Sequence, residues 1–266
     1  MVSTLSAKHR NCANLGRFLV TALIGVVVAS GAAASGWMLF PRPTTASTHA
    51  SPPNTASSTA LPAPPAEAVP RPDCKVVPCV ALTFDDGPDR VTTSRLLDLL
   101  EERHTPATFF VLGHRIAGNE DLLHRMVQLG MGVENHTWDH PNLTHLTHDA
   151  VVDQIRRTND EIVRATGRHP EHIRPPGGNW IPGVTPTDGL ALTTWDVDPR
   201  DWFHRHRASV VQNTLSAVRP GSVVLLHDIH PSTIDAVPGI LDGLKSRGLV
   251  PATLRDLNAG GTLPRE

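Results

Sequence analysis

Two adjacent carboxylates and three histidines lie in three short motifs of this 266-residue sequence. The motifs are TFDDGP at Thr83–Pro88, HTWDH at His136–His140 and LLHD at Leu225–Asp228. Carboxylates and imidazoles are the side chains that hold a catalytic metal ion and move protons beside it. The three motifs together therefore predict metal-assisted hydrolysis.

The histidine pair could supply two ligands to a single metal ion. His136 and His140 are four residues apart and would lie on one face of a helical turn. Asp86 is the best candidate for a third ligand, because one carboxylate and two imidazoles form a set that suits zinc. Three protein ligands leave a position for water, whose pKa the metal lowers toward about 7. We therefore expect one divalent ion, Zn²⁺, in the domain.

Two further side chains could carry protons. Asp85 stands beside Asp86 at the end of a predicted strand, and the Gly-Pro turn that follows would let both carboxylates reach one pocket. We interpret Asp85 as the general base, held ionised by a cation such as Arg174. We interpret His227 as the general acid, because an imidazole can donate a proton near neutral pH.

Each of these signals has an ordinary explanation when it is taken alone. The sequence contains 15 histidines, so most of them are expected to be solvated. An Asp-Asp pair at a strand end more often caps a turn or a helix than it performs catalysis. The functional interpretation therefore depends on several signals meeting at the same rim of one fold.

The composition indicates one catalytic domain in a weakly charged chain. Hydrophobic residues make up 39% and charged residues 19%, enough for one core of ordinary size plus non-globular segments. The formal net charge is -2 and the pI is about 6.7, a balance that creates no field to attract nucleic acid. No nucleic-acid partner is expected, and the domain is expected to be monomeric.

Residues 1–40 are predicted to be an export segment. Basic residues precede the uncharged stretch 18–40, which is long enough to cross a hydrocarbon layer of about 30 Å. The small residues 31–36 offer a cleavage site for a signal peptide, whereas the apolar residues 37–40 continue the stretch as a membrane anchor would. Both alternatives leave the rest of the chain outside the cytoplasm, either secreted or tethered to the outer face of the membrane.

Residues 41–72 consist mainly of Pro, Ala, Ser and Thr, so they are predicted to bury too little surface to fold. This linker is either an extended tether that spaces the domain from the membrane or wall, or a remnant with no length requirement. The catalytic domain is predicted at residues 73–258, followed by a tail at 259–266.

Two of the three cysteines lie at the entrance to the predicted domain. Cys74 and Cys79 are on the side expected to be oxidising, which favours a disulfide over the alternative of two free buried thiols. Because the closed loop is short, the bond would contribute only about 2 kcal/mol, enough to fix the entry of the first strand.

Apolar runs alternate with helical periodicity throughout the predicted domain. Strands are predicted at 80–84, 107–112, 132–135, 190–197, 221–226 and 249–254. Helices are predicted at 92–103, 120–129, 149–166, 208–218 and 232–247. This alternation indicates parallel strands with right-handed crossovers, hence an α/β barrel or an open sheet. In both folds the carboxyl ends of the strands build the site, which is where the motifs fall.

The sequence from about Cys79 to Leu257 resembles the polysaccharide deacetylase family, the chitooligosaccharide deacetylase homology domain of carbohydrate esterase family four. All five motifs of that family can be placed in order, at Thr83–Pro88, His136–His140, Arg174–Pro176, Asp198–Trp202 and Leu225–His227. The resemblance implies a distorted (β/α) barrel, usually of seven strands, that removes acetyl groups from glycans with a divalent metal ion.

The same resemblance implies roles for individual residues of the first two motifs. Asp85 would be the base, and the metal ligands would be Asp86, His136 and His140.

The resemblance also implies roles in the last three motifs. Arg174 would orient the base, and Asp201 would tune the catalytic His227. Trp202 would line the substrate groove, and Leu225 would line the pocket for the acetyl methyl group.

The sequence departs from the family pattern in two places. Gly177 stands where many members have tyrosine, and the sequence contains no tyrosine at all. The family uses the backbone N–H of that residue toward the oxyanion, so glycine can keep this contact while a groove-lining ring is lost. The stretch 178–189 is rich in Pro and Gly where members commonly have a helix, so we expect a shortened barrel segment.

The sequence therefore predicts a metal-dependent deacetylase that acts outside the cytoplasm on an N-acetylated glycan, such as peptidoglycan or chitin-type oligomers. An O-acetyl esterase acting on xylan or a similar polymer is an alternative, because the same chemistry cleaves esters and amides. A wall-binding module without catalysis is disfavoured, because every assigned catalytic position carries a competent side chain.

Overall fold

The computed structural model describes residues 68–181 and 185–260. The predicted export segment, most of the predicted linker and residues 261–266 of the predicted tail lie outside the described residues. Val69, which the prediction placed in the linker, is buried, and its N–H donates to the Leu129 carbonyl at 3.1 Å. Packing onto the domain therefore begins before residue 73. Among the described residues, no helix is both long and apolar enough to cross a membrane.

A parallel sheet lies at the centre of the described part of the chain. Its strands are β1 (Cys79–Asp85), β2 (Thr108–Val111), β3 (Gly132–Asn135), β4 (His172–Ile173), β5 (Ala191–Leu192), β6 (Val223–His227) and β7 (Val250–Ala252). The strand order is β5-β4-β3-β2-β1-β6, and β7 pairs with the first half of β1. This is the parallel α/β architecture that the sequence predicts.

The sheet must be curled, since the short segment 192–197 pairs at both of its edges. Leu192 pairs with Ile173 at one edge, and Val197 pairs with Val224 outside β6 at the other. A flat sheet would separate these two positions by about 29 Å, at about 4.8 Å per strand. Five residues of extended chain span at most about 18 Å. The curling corresponds to the distorted barrel that the family resemblance implies.

The helices cover the sheet between successive strands. They are α1 (Thr92–Glu102), α2 (Glu120–Gln128), α3 (His148–Thr166), α4 (Asp201–His204), α5 (Arg207–Ala217), α6 (Pro231–Ser246) and α7 (Leu254–Ala259). The five longer ones, α1, α2, α3, α5 and α6, are the five helices predicted from periodicity. In α3 the side chain of Thr147 accepts from the Ala150 N–H at the start, and Gly167 ends the helix with φ 69°. Local capping chemistry therefore sets these helix ends.

The differences from prediction concern short elements. The two-residue strand β4 is too short to produce a periodic pattern, and it was not predicted. The predicted strand 190–197 is reduced to β5 and the single bridge at Val197. The predicted strand 249–254 ends early because the Thr253 side chain accepts from the Asp256 N–H and starts α7.

The central strands are buried on both faces, which makes the site end of the sheet rigid. Every residue of β1 and β2 is buried, and the rings of Phe84 and Phe109 stack with centroids 5.5 Å apart. A disulfide joins Cys74 to Cys79, at the first residue of β1. These contacts fix the position of β1, which ends at Asp85, the first residue of the Asp-Asp pair.

Candidate active site

The register of the sheet brings the residues of the motifs to one rim. Asp85, the last residue of β1, is the direct pairing partner of His227, the last residue of β6. His136 and Arg174 each follow the last residue of a strand, β3 and β4 respectively. All four side chains therefore start from the carboxyl ends of neighbouring parallel strands, where such sheets build their sites.

Asp86, His136 and His140 form a cluster with metal-binding geometry. One ligand atom from each of the three side chains lies within 4.8 Å of the other two. The Oδ1 atom of Asp86 is 3.5 Å from Nε2 of His136 and 3.6 Å from Nε2 of His140. The three atoms thus converge on one point, as the ligands of a single ion would.

The state of these donors suits a bound cation. Asp86 Oδ1 is buried and has no hydrogen-bond partner among the described residues. Burial alone would raise the pKa of Asp86, but the neighbouring His136, with the charges of His227 and His140, lowers it to about 2. Burial, and then the neighbouring His136, lower the pKa of His140. An ionised carboxylate and neutral imidazole are the forms that bind metal.

The ring of His136 is turned so that its second nitrogen can act as a ligand. Its Nδ1 lies 2.7 Å from the carbonyl oxygen of Arg174, and only a protonated Nδ1 can donate to a carbonyl. Nε2 then carries a lone pair that points toward Asp86. Such backbone contacts are the usual means by which proteins orient a metal-binding histidine.

The prediction that these histidines share a helical turn is wrong. The residues between them form an irregular loop, in which Thr137 has φ 72° and His140 has φ 62°. The left-handed backbone at Thr137 is held because its N–H donates to the Asn135 side chain at 2.7 Å. The two rings still meet, with centroids 5.0 Å apart.

Gln154 of α3 fastens this loop to the body of the domain. Its Oε1 accepts the N–H groups of Trp138 and Asp139 at 2.8 and 3.2 Å. Its Nε2 donates to the Asp139 carboxylate at 2.7 Å. One glutamine thus makes three contacts to the segment between the two histidines. No sequence signal singled it out, because it lies in the middle of a helix far along the chain.

Gln154→Ala should therefore weaken metal binding without removing a ligand. We expect the affinity for Zn²⁺ to fall by about 10- to 100-fold, the usual effect of losing an outer contact that orients ligands. Competition with a chromogenic zinc chelator measures this affinity directly. The matched control is Gln212→Ala on the exposed face of α5, which should leave the affinity unchanged. Equal affinities for both variants and the parent would show that Gln154 does not position the ligands.

Asp85 is held by a buried ion pair. Nη1 of Arg174 donates to Asp85 Oδ1 and to Thr83 Oγ1, both at 2.7 Å, and Nη2 donates to the Thr194 carbonyl at 3.0 Å. The guanidinium is fully buried and lies 4.1 Å from the centroid of the Phe110 ring. Burial lowers the pKa of Arg174, and the charge and hydrogen bond of Asp85 oppose that effect.

The second oxygen of Asp85 faces the metal-binding cluster. Asp85 Oδ2 lies 3.6 Å from Nε2 of His136, while Oδ1 is occupied by Arg174. The two adjacent carboxylates thus have different surroundings. Asp86 offers an unpartnered oxygen to the cluster, and Asp85 is fixed by a cation with one oxygen left for a further contact.

His227, the pairing partner of Asp85 in the sheet, is paired with a buried carboxylate. Its Nδ1 lies 2.9 Å from Asp201 Oδ1, and its backbone N–H and the Thr233 hydroxyl donate to Asp201 Oδ2 at 2.8 and 2.7 Å. Burial alone would lower the pKa of His227. The hydrogen bond and charge of Asp201, with the charges of Asp85 and Asp86, raise it to about 9. The imidazole is therefore protonated at neutral pH in the metal-free chain.

The three remaining predicted site residues flank this centre. Gly177 lies in a turn and has φ 62°, a left-handed conformation that glycine adopts without strain. Leu225 is buried on β6, opposite Thr83 in the register. Trp202 directly follows Asp201 on α4, and its side chain is 47% exposed.

Asp228 is a buried site residue to which the sequence argument gave no role. It is fully buried directly after His227, and the Thr93 hydroxyl donates to its Oδ2 at 2.5 Å. A Cβ atom at Gly87 would overlap this carboxylate, so only glycine fits there. Burial, and then the charges of Asp86 and Asp85, raise the pKa of Asp228 to about 7, against the lowering effect of the Thr93 hydrogen bond. The sequence signal for Asp228 is its position as the last residue of the LLHD motif, directly after His227.

Comparison with known proteins agrees with the five motifs. Residues 73–187 match a family model described as polysaccharide deacetylase. The peptidoglycan-N-acetylglucosamine deacetylase PgdA of Listeria monocytogenes serotype 1/2a is 38% identical over 186 residues, which are 70% of this chain and 40% of that protein. The chitooligosaccharide deacetylase of Bradyrhizobium sp. (strain ANU 289) is 40% identical over 181 residues, which are 66% of this chain and 78% of that protein.

A solved structure shows the same fold. Peptidoglycan deacetylase PdaC from Bacillus subtilis superposes with a TM-score of 0.68 and 35% identity, over 70% of this chain and 93% of that one. The family resemblance and the barrel-like α/β fold predicted from the sequence are thereby confirmed. The chain spans only about two fifths of the length of PgdA, since 40% of that protein is matched.

Proposed function

The chain belongs to the polysaccharide deacetylase family, and from that premise we propose that it is a metal-dependent hydrolase that removes acetyl groups from an N-acetylated glycan. One observation carries the proposal. A buried carboxylate–guanidinium pair and a buried histidine–carboxylate pair lie at adjacent positions of β1 and β6, beside a three-ligand cluster. A base, an acid and a cation site are the parts that hydrolysis of an unactivated amide requires.

In this proposal Asp86, His136 and His140 hold the metal ion. A divalent cation supplies Lewis acidity when bound, which lowers the pKa of water toward neutrality and polarises a carbonyl group. Three protein ligands are one fewer than a structural zinc site usually has, so substrate and water can reach the site. Zinc is the proposed ion, because the donor set combines two imidazoles with one carboxylate.

Asp85 is the proposed general base. Its Oδ2 takes a proton from the attacking water, whose oxygen forms the new bond to the acetyl carbon. Arg174 holds Oδ1, so the carboxylate cannot rotate away from the cluster. The guanidinium is itself held by Thr83 and Thr194. Contacts in the packed interior therefore fix the orientation of the Asp85 carboxylate.

His227 is the proposed general acid. Its Nε2 gives a proton to the amide nitrogen as the bond from carbon to nitrogen breaks, so acetate and a free sugar amine leave. Asp201 keeps the ring oriented through Nδ1. Because Asp201 accepts from Thr233 and from the His227 N–H as well, its charge is stabilised where it is buried.

Three residues complete the proposed substrate site. Leu225 would line the pocket for the acetyl methyl group, and the N–H of Gly177 would face the oxyanion. The exposed ring of Trp202 would line the groove for the sugar. These assignments extend the family pattern to the matching positions of this chain.

The proposed substrate is an N-acetylated glycan of the cell wall or a chitin-type oligomer, outside the cytoplasm. The names of the relatives support this class, because they are deacetylases of peptidoglycan and of chitooligosaccharides. The predicted export segment 1–40, with its uncharged stretch 18–40, supports the location, whether it is a cleaved signal or a membrane tether.

Acetate release from a matched set of substrates tests this proposal. The zinc-loaded chain should release acetate from N-acetylglucosamine oligomers or from peptidoglycan faster than from O-acetylated xylan. His136→Ala should abolish the release, and His124→Ala on the exposed face of α2 should not. Faster release from acetylated xylan would identify an O-acetyl esterase instead. No release from any substrate would leave a wall-binding module as the explanation.

A further inference from the structure

A run of basic side chains follows the tryptophan of the fourth motif. Residues 200–207 (RDWFHRHR) contain three arginines, two histidines and only one carboxylate, in a chain whose formal net charge is -2. The carboxylate belongs to Asp201, which is buried and engaged by His227. Residues 202–207 are all exposed. The run is therefore a local concentration of positive charge at the surface.

Arg205 is the member of this run whose guanidinium is placed by the fold. The residue closes α4 in a left-handed conformation, with φ 45°, which is unfavourable for a residue other than glycine. Its Nε donates to the Trp202 carbonyl at 3.2 Å, so the side chain folds back over the helix. Within the described residues, no hydrogen bond or ion pair engages its two terminal nitrogens.

Arg205 is one turn of α4 away from the residue that holds the proposed general acid. Its backbone N–H donates to the Asp201 carbonyl at 3.0 Å, and the Asp201 carboxylate is 2.9 Å from Nδ1 of His227. The ring of His230 lies 5.9 Å from the ring of His227, and burial and then the charge of Arg205 lower the pKa of His230. Arg205 and the exposed Trp202 thus belong to the same short helix that contacts His227 through Asp201.

We propose that Arg205 binds a carboxylate of the substrate, carried by the sugar next to the one that is deacetylated. This proposal rests on the proposed function and specifies its substrate as an acidic glycan. Two free N–H groups in a planar fork match a carboxylate in bidentate fashion, and the exposed Trp202 offers a surface for the sugar that bears it. Peptidoglycan carries such carboxylates on alternate sugars or their peptides, whereas chitin-type oligomers and xylan backbones have none at the corresponding position.

The neighbouring Arg207 provides a matched control. It is equally exposed and lies two residues further along the chain. Its side chain lines a separate cavity together with Glu102 and Asp235, so acidic groups already face it there. Removal of its charge should therefore leave the substrate groove unaffected.

The test compares three substrates of the zinc-loaded chain. They are a carboxylate-bearing peptidoglycan fragment, the same fragment with its carboxylates amidated, and a neutral N-acetylglucosamine oligomer. Arg205→Asn removes the guanidinium with a residue that tolerates left-handed backbone. It should raise KM for the carboxylate-bearing fragment by about five- to tenfold with kcat nearly unchanged. It should change neither parameter for the two neutral substrates.

Two further measurements keep the result interpretable. Arg205→Lys keeps the charge without the fork and should give an intermediate KM, and Arg207→Gln should match the parent. In the parent, raising the salt from about 0.02 to about 0.3 M should raise KM for the charged fragment only. An unchanged KM in Arg205→Asn, or an equal loss on charged and neutral substrates, would overturn the proposal. Absence of acetate release from all three substrates by the parent would instead contradict the proposed function.

Discussion

Asp85→Asn should lower turnover by orders of magnitude while the chain keeps its metal ion, whereas Asp86→Asn should reduce the metal content itself. The two carboxylates are adjacent in sequence, but their surroundings differ. Asp86 Oδ1 is buried, unpartnered and aimed at two imidazoles, so its charge is needed to hold a cation. Asp85 has one oxygen on Arg174 and one facing the cluster, which is the position of a base and not of a ligand.

The expected sizes of these effects follow from the roles. Loss of a general base lowers kcat by about 10²- to 10⁴-fold. Asn at position 85 still presents a carbonyl oxygen to Arg174, so the fold should survive, and a thermal melt checks this. Metal content by atomic emission and kcat on N-acetylglucosamine oligomers should be measured on the same preparations. An equal loss of metal in both variants would mean that base and ligand have been assigned wrongly.

Replacement of His227 should be far more damaging for an amide than for an activated ester. An amine leaves only when it has been protonated, whereas an aryl alcohol leaves without a proton. His227→Ala should therefore lower kcat/KM on N-acetylglucosamine oligomers by about 10²- to 10⁴-fold, and on an aryl acetate by much less. Equal losses on both substrates would show that His227 shapes the pocket and does not act as an acid.

The pH dependence gives an independent measure of the same role. An acid must be protonated, so activity should be lost as pH rises through the pKa of His227, which Asp201 and two other carboxylates raise to about 9. A cation held by Asp86 offsets the negative charge of that carboxylate, which is one of the charges that raise the pKa of His227. The alkaline limb of the pH-rate profile of the metal-loaded enzyme should therefore lie below about pH 9. Asp201→Asn removes a charge that favours the imidazolium, and the alkaline limb should therefore move to lower pH.

The control for this shift is Asp242→Asn on α6, whose carboxylate pairs with Arg103 at the surface. It should leave the alkaline limb in place. An alkaline limb that does not move in Asp201→Asn would mean that a group other than His227 limits the reaction at high pH.

The sequence predicted the long elements of the fold because their patterns depend on burial. The sequence predicts the amphipathic helices α1, α2, α3, α5 and α6. The fully buried strand β1 and the first four residues of β6, which are buried, are continuous apolar runs. The two-residue strand β4 and the four-residue helix α4 leave too few positions for a period to be seen. Their existence depends on tertiary contacts that no local pattern records.

The sequence predicts those residues of the candidate site that lie at the ends of strands. In a parallel sheet, residues that end neighbouring strands must share a rim, so the sequence alone predicts that Asp85, His136 and His227 lie together. The loop between His136 and His140 was not predictable. Its left-handed residues depend on Asn135 and Gln154, whose contacts cross from β3 and α3 to the loop.

Metal removal and replacement test the central claim most directly. The chain should be stripped with a strong chelator, dialysed, and assayed for acetate release from N-acetylglucosamine oligomers while Zn²⁺ is added in known amounts. Activity should be absent in the stripped chain and should rise linearly until about one ion per chain has been added, with no such rise in His140→Ala. Full activity in the stripped chain would contradict the account. So would an equal recovery of activity on Zn²⁺ addition in His140→Ala, which lacks one ligand of the cluster of Asp86, His136 and His140.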